Sequence, residues 1–362
     1  MGSGLTNGTG TLGNPDTLTD IAIQTGSKAI LPAGFLVGHA QNETAGTGCT
    51  TIICEQGAIG GVSVRGAAPA TRETDLLNPC NTVERVNGIV LSGGSAFGLD
   101  AAGGAMRWLS EHKAGFCVAE TVVPIVCSAC LFDLNVGDGG VCPDAAFGYA
   151  ACEAASTTVA TGNVGAGTGA SVGKLLGEQL SMKGGFGAAS ICLEELTVTA
   201  LVVVNALGTI YDRSTTMALA GTRDPQTKTT LLDPIQAALM MLGTGMNPES
   251  SQNSERLKTA PANTTIGCLL TNGILTKAQM TRIADCAHDG YARAIDPVHT
   301  GFDGDAIFAL TTATIPTIPD LVGMLGAVAM EKAIHNAVLS ATGAYRLPSA
   351  SDLKVNHKQK GS

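Results

Sequence analysis

The 362-residue sequence contains few aromatic and few charged residues. Aromatic side chains make up 4% of the chain, with Trp108 as its one tryptophan, and charged side chains make up 14%. The net charge of −9 disfavours nucleic acid or an anionic membrane as the main partner. No apolar run reaches the roughly 18 residues of a transmembrane helix, and no signal peptide is visible. We therefore expect a cytoplasmic protein that binds neither nucleic acid nor membrane.

Glycine, by contrast, is abundant, with 47 residues in the chain. This is roughly twice the average usage of glycine in globular proteins. Hydrophobic residues make up 44% of the sequence, which is enough for a sizeable core. A core of Ala, Gly, Val and Leu predicts closely packed layers joined by tight turns.

Eleven cysteines are present, and most of them lie among Ala, Val, Ile and Leu. This setting is typical of small buried thiols in a reducing cytosol. Cys127 and Cys130 have a spacing that occurs in metal sites, but Cys142 and Cys152 complete no strong zinc pattern and no histidine lies nearby. The six histidines form no His-Glu-x-x-His motif. We expect no metal.

Strand-like and helix-like runs mix along the chain, with strand pairs adjacent in sequence. Buried strands are predicted in "VNGIVLSGG", "LEELTVTALVVVNALGTIYD" and "IGCLLTN". The segments "AILPAGFLVGHAQ" and "TGCTTIICEQGAIGGVSVRG" predict strands joined by glycine-rich turns, and residues 247–260 predict a polar loop. "SAFGLDAAGGAMRWLSEHKAG" predicts a helix that Ser95 caps and Gly115 ends. The pattern favours a layered α/β sandwich over a regular βαβ winding.

Two glycine-rich segments suggest cofactor or nucleophile motifs that their spacing does not match. "VLSGGSAFGLDAAGG" lacks both the dinucleotide pattern and the Gly-Lys-Ser/Thr of a phosphate loop. Ser95 in "GGSAFG" does not fit the Gly-x-Ser-x-Gly elbow of a serine hydrolase. "NVGAGTGASVGK", residues 163–174, can either cradle an anion or present Lys174 to an active site. We expect no cofactor.

The stretch "PANTTIGCLLTN" opens a predicted buried strand with Asn263 and Thr264. It is either a plain strand entry or a point of chain cleavage. A threonine hydroxyl needs an adjacent base, and cleavage before Thr264 supplies one as an α-amine with a pKa of about 7.7–8.0. Asp303 and Asp305 in "FDGDAIFALTT" can orient that amine. They can equally form an ordinary turn before a strand.

"NTTIGCLLTN" and "HDGYARAIDPVHTGFDGDAIFALTT" resemble the self-processing aminopeptidases of the DmpA type, the L-aminopeptidase/D-amidase/D-esterases. That group includes β-peptidyl aminopeptidases and the nylon-oligomer (6-aminohexanoate-oligomer) hydrolase. "RVNGIVLSGGSAFGLDAAGGAMRWL", "GAGTGASVGK" and "VVVNALGTIYD" extend the resemblance over most of the chain. The resemblance implies a four-layer αββα sandwich of the N-terminal-nucleophile hydrolase type. It also implies a homotetramer.

By this resemblance, the precursor cuts itself between Asn263 and Thr264, and Thr264 becomes the catalytic nucleophile. Lys174 and Asn205 match catalytic positions of the family, with Asn205 as an oxyanion donor.

Three further positions carry over from the nylon-oligomer hydrolase. Asp303 and Asp305 match its catalytic acidic pair, whereas β-peptidyl aminopeptidases have Ser-x-Glu there. Phe132 stands at a substrate-binding position where the nylon-oligomer hydrolase has tyrosine, so this chain lacks a phenolic donor.

The sequence thus predicts one catalytic domain with four segments: a flexible leader 1–26, a larger chain 27–263, a smaller chain 264–350 and a tail 351–362. The predicted function is hydrolysis of short peptides or aminohexanoate oligomers through a Thr264 acyl-enzyme. Three alternatives stay open. They are an aminopeptidase restricted to ordinary or β-peptides and D-amino acid amides or esters, an acyltransferase of the ornithine acetyltransferase kind, and a binding protein that never cuts itself.

Overall fold

The computed structural model describes residues 21–243 and 263–353. The predicted polar loop 247–260 lies outside the described residues, as do residues 1–20 of the predicted leader and 354–362 of the predicted tail. The helices are α1 Ala101–Glu111, α2 Ala145–Glu153, α3 Pro234–Gly243, α4 Lys277–Ala294 and α5 Pro319–Ser340. None of these helices is long and apolar enough to cross a membrane.

The strands of the described residues fall into one large sheet and three small ones. The large sheet contains β1 Ala22–Thr25, β2 Leu36–Asn42, β3 Thr47–Val64, β4 Ala70–Arg72, β5 Arg85–Ser92, β8 Val126–Cys130, β11 Gly185–Leu193, β12 Leu196–Asn205, β15 Thr264–Gly273 and β17 Ala306–Ile315. The small sheets contain β6 Phe116–Val118 with β7 Thr121–Val123, β9 Ser171–Val172 with β10 Met182–Lys183, and β13 Thr209–Asp212 with β14 Met217–Ala220 and β16 Ile295–Asp296. β1 lies within the predicted leader and pairs with β11.

The large sheet has the order β1-β11-β12-β15-β17-β3-β5-β8-β4, with β2 also paired to β3. β3 is one 18-residue strand, and the turn 43–46 joins it to its antiparallel neighbour β2, as predicted. Its register shifts between Ile53 and Ala58, where Glu55 and Gln56 are exposed. The half before this shift pairs with β2 and β5, and the half after it pairs with β17 and, through Ala58 and Ile59, still with β5. β3 therefore belongs to both layers of the sheet.

Three buried clusters define the layers. Leu201, Ile266 and Phe308 of one sheet layer pack with Ile89 and Leu91 of the other. Helices α4 and α5 cover the outer face of the first layer. Helices α1 and α2 cover the outer face of the second. The predicted four-layer αββα sandwich is confirmed.

Close approach between the layers explains part of the glycine content. A Cβ at Gly187 on β11 would lie 2.1 Å from the Ala333 carbonyl oxygen of α5, and a Cβ at Gly61 on β3 would lie 2.3 Å from the Thr281 nitrogen of α4. Any side chain at these positions would push a helix away from the sheet.

The segment after β5 differs from the predicted helix. A short 3₁₀ turn, Ser95–Asp100, precedes α1, and α1 ends at Glu111 rather than at Gly115. Ser95 has a φ of 54° and donates its N–H to the Leu131 carbonyl. An N-cap residue needs an extended backbone, so Ser95 does not cap the helix as predicted.

The order of the central strands brings distant parts of the sequence to one edge. β12 runs antiparallel to β15, so Asn205, the last residue of β12, pairs with Thr264, the first residue of β15. β17 runs parallel to β15, with Ile266 opposite Ala306. The segment just before β17 therefore lies beside the start of β15.

Candidate active site

The Asn263–Thr264 peptide lies at the entry to β15 and is buried, with 4% of Thr264 exposed. The Thr264 hydroxyl, Oγ1, donates to the Asn263 carbonyl oxygen at 2.5 Å. The backbone N–H of Gly304 donates to the same oxygen at 2.8 Å. The Asn263 N–H donates to the Phe302 carbonyl at 3.0 Å. Asn263 is thus held by the 302–304 segment through both its N–H and its carbonyl oxygen.

Gly304 is a glycine because its backbone approaches the Thr264 hydroxyl closely. A Cβ at this position would lie 2.9 Å from Thr264 Oγ1 and 2.7 Å from the Ala68 carbonyl oxygen. Both are closer than real Cβ contacts. A residue with a side chain at position 304 would therefore displace either the Thr264 hydroxyl or the Ala68 carbonyl.

Lys174 and Asn205 form a buried pair at the adjacent strand end. Lys174 Nζ donates to Asn205 Oδ1 at 2.7 Å and to the Asn205 carbonyl at 3.2 Å. Asn205 Oδ1 also accepts from the Ser171 N–H at 3.0 Å, and Asn205 Nδ2 donates to the Phe132 carbonyl at 3.0 Å. These bonds fix the orientation of the Asn205 amide. One of its two Nδ2 protons stays free of the Phe132 bond.

Burial lowers the pKa of Lys174 from 10.5 to about 7, against the opposing charges of Glu178, Asp303 and Asp133. The lysine can therefore exchange a proton near neutral pH, which is unusual for this side chain.

The two predicted acidic residues approach the same strand from one loop. The Asp305 carboxylate accepts the N–H of Thr265 at 2.7 Å through Oδ1. Asp303 pairs through its backbone with Asn263, and its carboxylate is bonded to Thr300. Burial, followed by the neighbouring Asp305 charge, raises the pKa of Asp303 to about 6.

The five predicted catalytic residues are thus brought to one edge of the sheet. Lys174 contacts Asn205, Asn205 pairs with Thr264, and the segment that carries Asp303 and Asp305 contacts Asn263 and Thr265. The predicted substrate-binding residue Phe132 is half-buried and meets this group through its carbonyl oxygen.

Two buried charged residues beside the site were not singled out from the sequence. Asp133 accepts the Gly94 N–H and the Thr47 hydroxyl, each at 2.7 Å, and burial raises its pKa to about 6. Lys183 Nζ donates to three carbonyls. An aspartate after the apolar run "SACLF" is a sequence signal that could have identified Asp133, whereas Lys183 has no comparable signal.

Lys183 supports the glycine-rich loop. Its Nζ donates to the carbonyls of Gly167, Ala170 and Gly184 at 2.8–3.0 Å. Burial lowers the pKa of Lys183 to about 7. The side chain of a second lysine, Lys183, thus binds backbone carbonyls of the loop that ends at Lys174.

The cysteines form no disulfide in the described residues. All eleven are free thiols, and six of them are buried. No group of three or more His, Cys, Asp or Glu side chains that could hold a metal ion occurs in residues 21–243 and 263–353.

Comparison with known proteins places this chain in a family. The chain matches the model of peptidase family S58 over residues 29–346. An uncharacterized aminopeptidase of Mycobacterium bovis is 42% identical over 317 residues, covering 85% of this chain and 88% of the relative. The 6-aminohexanoate-oligomer endohydrolase of an Agromyces species is 32% identical over 327 residues, covering 85% and 84%.

Solved structures agree with the fold. The L-aminopeptidase D-Ala-esterase/amidase of Ochrobactrum anthropi, described as a variant of the Ntn hydrolase fold, has a TM-score of 0.64 at 19% identity, covering 91% of this chain and 93% of that one. A Burkholderia β-aminopeptidase has a TM-score of 0.59 at 21% identity, covering 89% and 90%. The predicted resemblance is confirmed, and amide-bond hydrolysis is the activity class. The chain belongs to peptidase family S58.

Proposed function

We propose that this protein is a self-processing N-terminal threonine hydrolase, whose precursor cuts itself between Asn263 and Thr264. The observation that carries the proposal is the contact of Thr264 Oγ1 with the Asn263 carbonyl, whose oxygen already accepts the Gly304 N–H. Attack of Oγ1 on the Asn263 carbonyl carbon breaks the C–N bond and leaves an ester and a free amine. The Gly304 N–H stabilises the oxyanion that forms on the way. Water then hydrolyses the ester.

The new α-amine of Thr264 supplies the base for turnover. With a pKa of about 7.7–8.0, part of it is unprotonated near neutral pH. It takes the proton from Oγ1, which attacks the substrate amide carbonyl, and returns the proton to the departing amine. Water then hydrolyses the acyl ester. The free Nδ2 proton of Asn205 stabilises the oxyanion, and Lys174 holds the Asn205 amide in place.

The acidic pair supports a substrate with a free ammonium end. Asp303 and Asp305 add two carboxylates beside Thr264, which attract both the Thr264 amine and a substrate ammonium. Phe132 offers an apolar contact without a hydroxyl donor. We therefore propose short peptides or aminohexanoate oligomers as substrates, without a cofactor. We further propose a cytoplasmic homotetramer in which residues 27–263 and 264–350 form one catalytic domain.

An aminopeptidase restricted to ordinary or β-linked peptides is the second candidate. It is favoured by the mycobacterial relative, which is named an aminopeptidase and is more similar to this chain than the endohydrolase is. Both candidates use the same nucleophile, so only the choice of substrate separates them.

A substrate panel tests the function. Wild-type protein, Thr264→Ala and Thr264→Ser are assayed on linear aminohexanoate oligomers, dipeptides, β-dipeptides and D-amino acid amides, with and without an added amino-acid acceptor. We expect wild-type hydrolysis without an acceptor, measurable hydrolysis by Thr264→Ser and none by Thr264→Ala. Full activity of Thr264→Ala would exclude Thr264 as the nucleophile. Strict acceptor dependence would indicate an acyltransferase instead.

A further inference from the structure

We infer that His299 and Thr300 form a clamp that positions the carboxylates of Asp305 and Asp303 beside Thr264. The inference rests on the proposed threonine mechanism and deepens it. Both clamp residues are positioning residues, because they act through the acidic pair and not on the substrate.

His299 holds the Asp305 carboxylate at one oxygen. His299 Nδ1 lies 2.7 Å from Asp305 Oδ2, and the His299 backbone N–H donates to the same oxygen at 3.3 Å. The other oxygen, Oδ1, accepts the Thr265 N–H at 2.7 Å. An ionised carboxylate only accepts hydrogen bonds, so Nδ1 carries the proton in this contact. One oxygen of the Asp305 carboxylate is therefore bonded to His299, and the other is bonded to Thr265, the residue after the nucleophile.

The His299 ring is itself held in place. It packs edge-to-face on His288 at a centroid distance of 4.8 Å and lies 6.0 Å from the ring of Tyr291. Both of these neighbours are fully buried. The His299 backbone has a φ of 55°, a left-handed conformation that a histidine adopts only at a cost. Ring packing and backbone together point Nδ1 at Asp305.

Thr300 holds the Asp303 carboxylate in a parallel way. Its N–H donates to Asp303 Oδ2 at 2.7 Å, and its hydroxyl donates to the same oxygen at 2.6 Å. Two consecutive residues of the chain therefore each direct a backbone N–H and a side-chain donor at one carboxylate oxygen. Charge-assisted hydrogen bonds of this kind are about twice as strong as neutral ones.

The backbone of the acidic loop has separate anchors. The Asp303 carbonyl accepts the Ala68 N–H at 3.0 Å, and the Asp305 carbonyl accepts the N–H groups of Arg65 and Gly66 at 2.9 and 3.1 Å. These bonds do not involve the clamp side chains. Removing a clamp donor should thus free a carboxylate without unfolding the loop, so the clamp side chains serve the reaction more than the fold.

Two matched pairs of variants test the inference. His299→Gly and His299→Asn both tolerate the left-handed backbone, but only asparagine keeps a side-chain donor near Nδ1. Thr300→Val and Thr300→Ser differ in the same way, because valine has the shape of threonine without its hydroxyl. For each variant we would measure the self-cleavage rate, kcat and KM of the cleaved form, and the melting temperature.

We expect His299→Gly and Thr300→Val to lower self-cleavage and kcat by about 10-fold or more, the size of one lost charged hydrogen bond. KM should change little. His299→Gly and His299→Asn both lose the ring that packs on His288 and Tyr291, so their melting temperatures should fall together. His299→Asn and Thr300→Ser should nevertheless recover most of the rate. Wild-type rates in His299→Gly and Thr300→Val, or equal losses in both members of each pair, would overturn the clamp. Thr264→Ala separates the two ideas: if it is inactive while the clamp variants are normal, only the clamp is wrong.

Discussion

Asn205 and Thr264 are the terminal pair of the β12–β15 ladder, and Lys174 Nζ contacts both the side chain and the carbonyl of Asn205. The lysine is thus connected to the nucleophile through one residue and one strand pairing. A change at Lys174 should reach Thr264 through the orientation of the Asn205 amide.

The first prediction compares the two buried lysines. Lys174→Met should lower self-cleavage and turnover by about 10²-fold, the size of a lost oxyanion contribution, because the Asn205 amide loses a partner. Lys183→Met should instead lower the free energy of unfolding by about 1–3 kcal/mol, since three buried carbonyls lose their donor.

Urea unfolding and turnover per folded molecule separate the two effects. Cleaved Lys183→Met should turn over within about threefold of wild type, whereas cleaved Lys174→Met should not. Equal turnover losses in both variants would mean that Lys174 supports only the fold.

The second prediction concerns two glycines of one loop. Gly304→Ala should slow self-cleavage by about 10-fold or more, because its Cβ would lie 2.9 Å from Thr264 Oγ1 and disturb the attacking geometry. Gly301→Ala is the matched control, since a Cβ there would meet no atom within 4 Å. A gel time course of precursor loss measures both. Equal rates in the two variants would contradict the close contact at Gly304.

The third prediction is a pH dependence set by Asp303, whose pKa burial raises to about 6. Asparagine resembles the protonated acid, so the ratio of the self-cleavage rates of wild type and Asp303→Asn isolates the carboxylate in the uncut chain. This ratio should be about 10² above pH 7 and should fall about tenfold per pH unit below pH 6 as Asp303 takes up a proton. The measurement is the rate of precursor loss of both proteins from pH 4.5 to 8, before a Thr264 α-amine has formed. A ratio that does not change with pH would exclude an ionised Asp303 from the reaction.

The fourth prediction is the effect of the same group on stability. The folded pKa of Asp303 lies above its ordinary 3.8, so the folded chain binds this proton more tightly than the unfolded chain. The stability that this bound proton gives the folded chain is complete below pH 3.8 and is lost as pH rises through about 6. We would introduce Asp303→Asn into uncut Thr264→Ala protein. The difference in melting temperature between this variant and its parent should therefore increase in favour of the variant as the pH rises from 4.5 to 7.5. A gain that shrinks as pH rises would show that the charged form of Asp303 is stabilised in the fold.

Local patterns predicted the elements that carry the site. The apolar runs of β12 and β15 and the "DGD" before β17 are visible in sequence because each lies within one short segment. The resemblance then named Thr264, Asn205 and Lys174. The strand order that brings them together is a long-range property, which no single segment encodes.

The same limit explains what the sequence did not predict. β3 pairs with β2 before its irregular middle and with β17 after it, and β17 lies far along the chain. Ser95 leaves the helix because its N–H bonds to Leu131, far along the chain. Lys183 and His299 gain their roles from carbonyls and a carboxylate that only folding places near them. Their residue types alone are compatible with ordinary surface positions.

The N-terminal sequence of the smaller fragment of purified wild-type protein, measured together with its intact mass, tests the role of Thr264 directly. We expect two fragments, residues 1–263 and 264–362, the second beginning Thr-Thr-Ile-Gly-Cys. Thr264→Ala, purified in the same way, should stay at full length. A wild-type chain that remains uncut after long incubation, or a fragment that begins at any other residue, would contradict the assignment of Thr264 as the nucleophile.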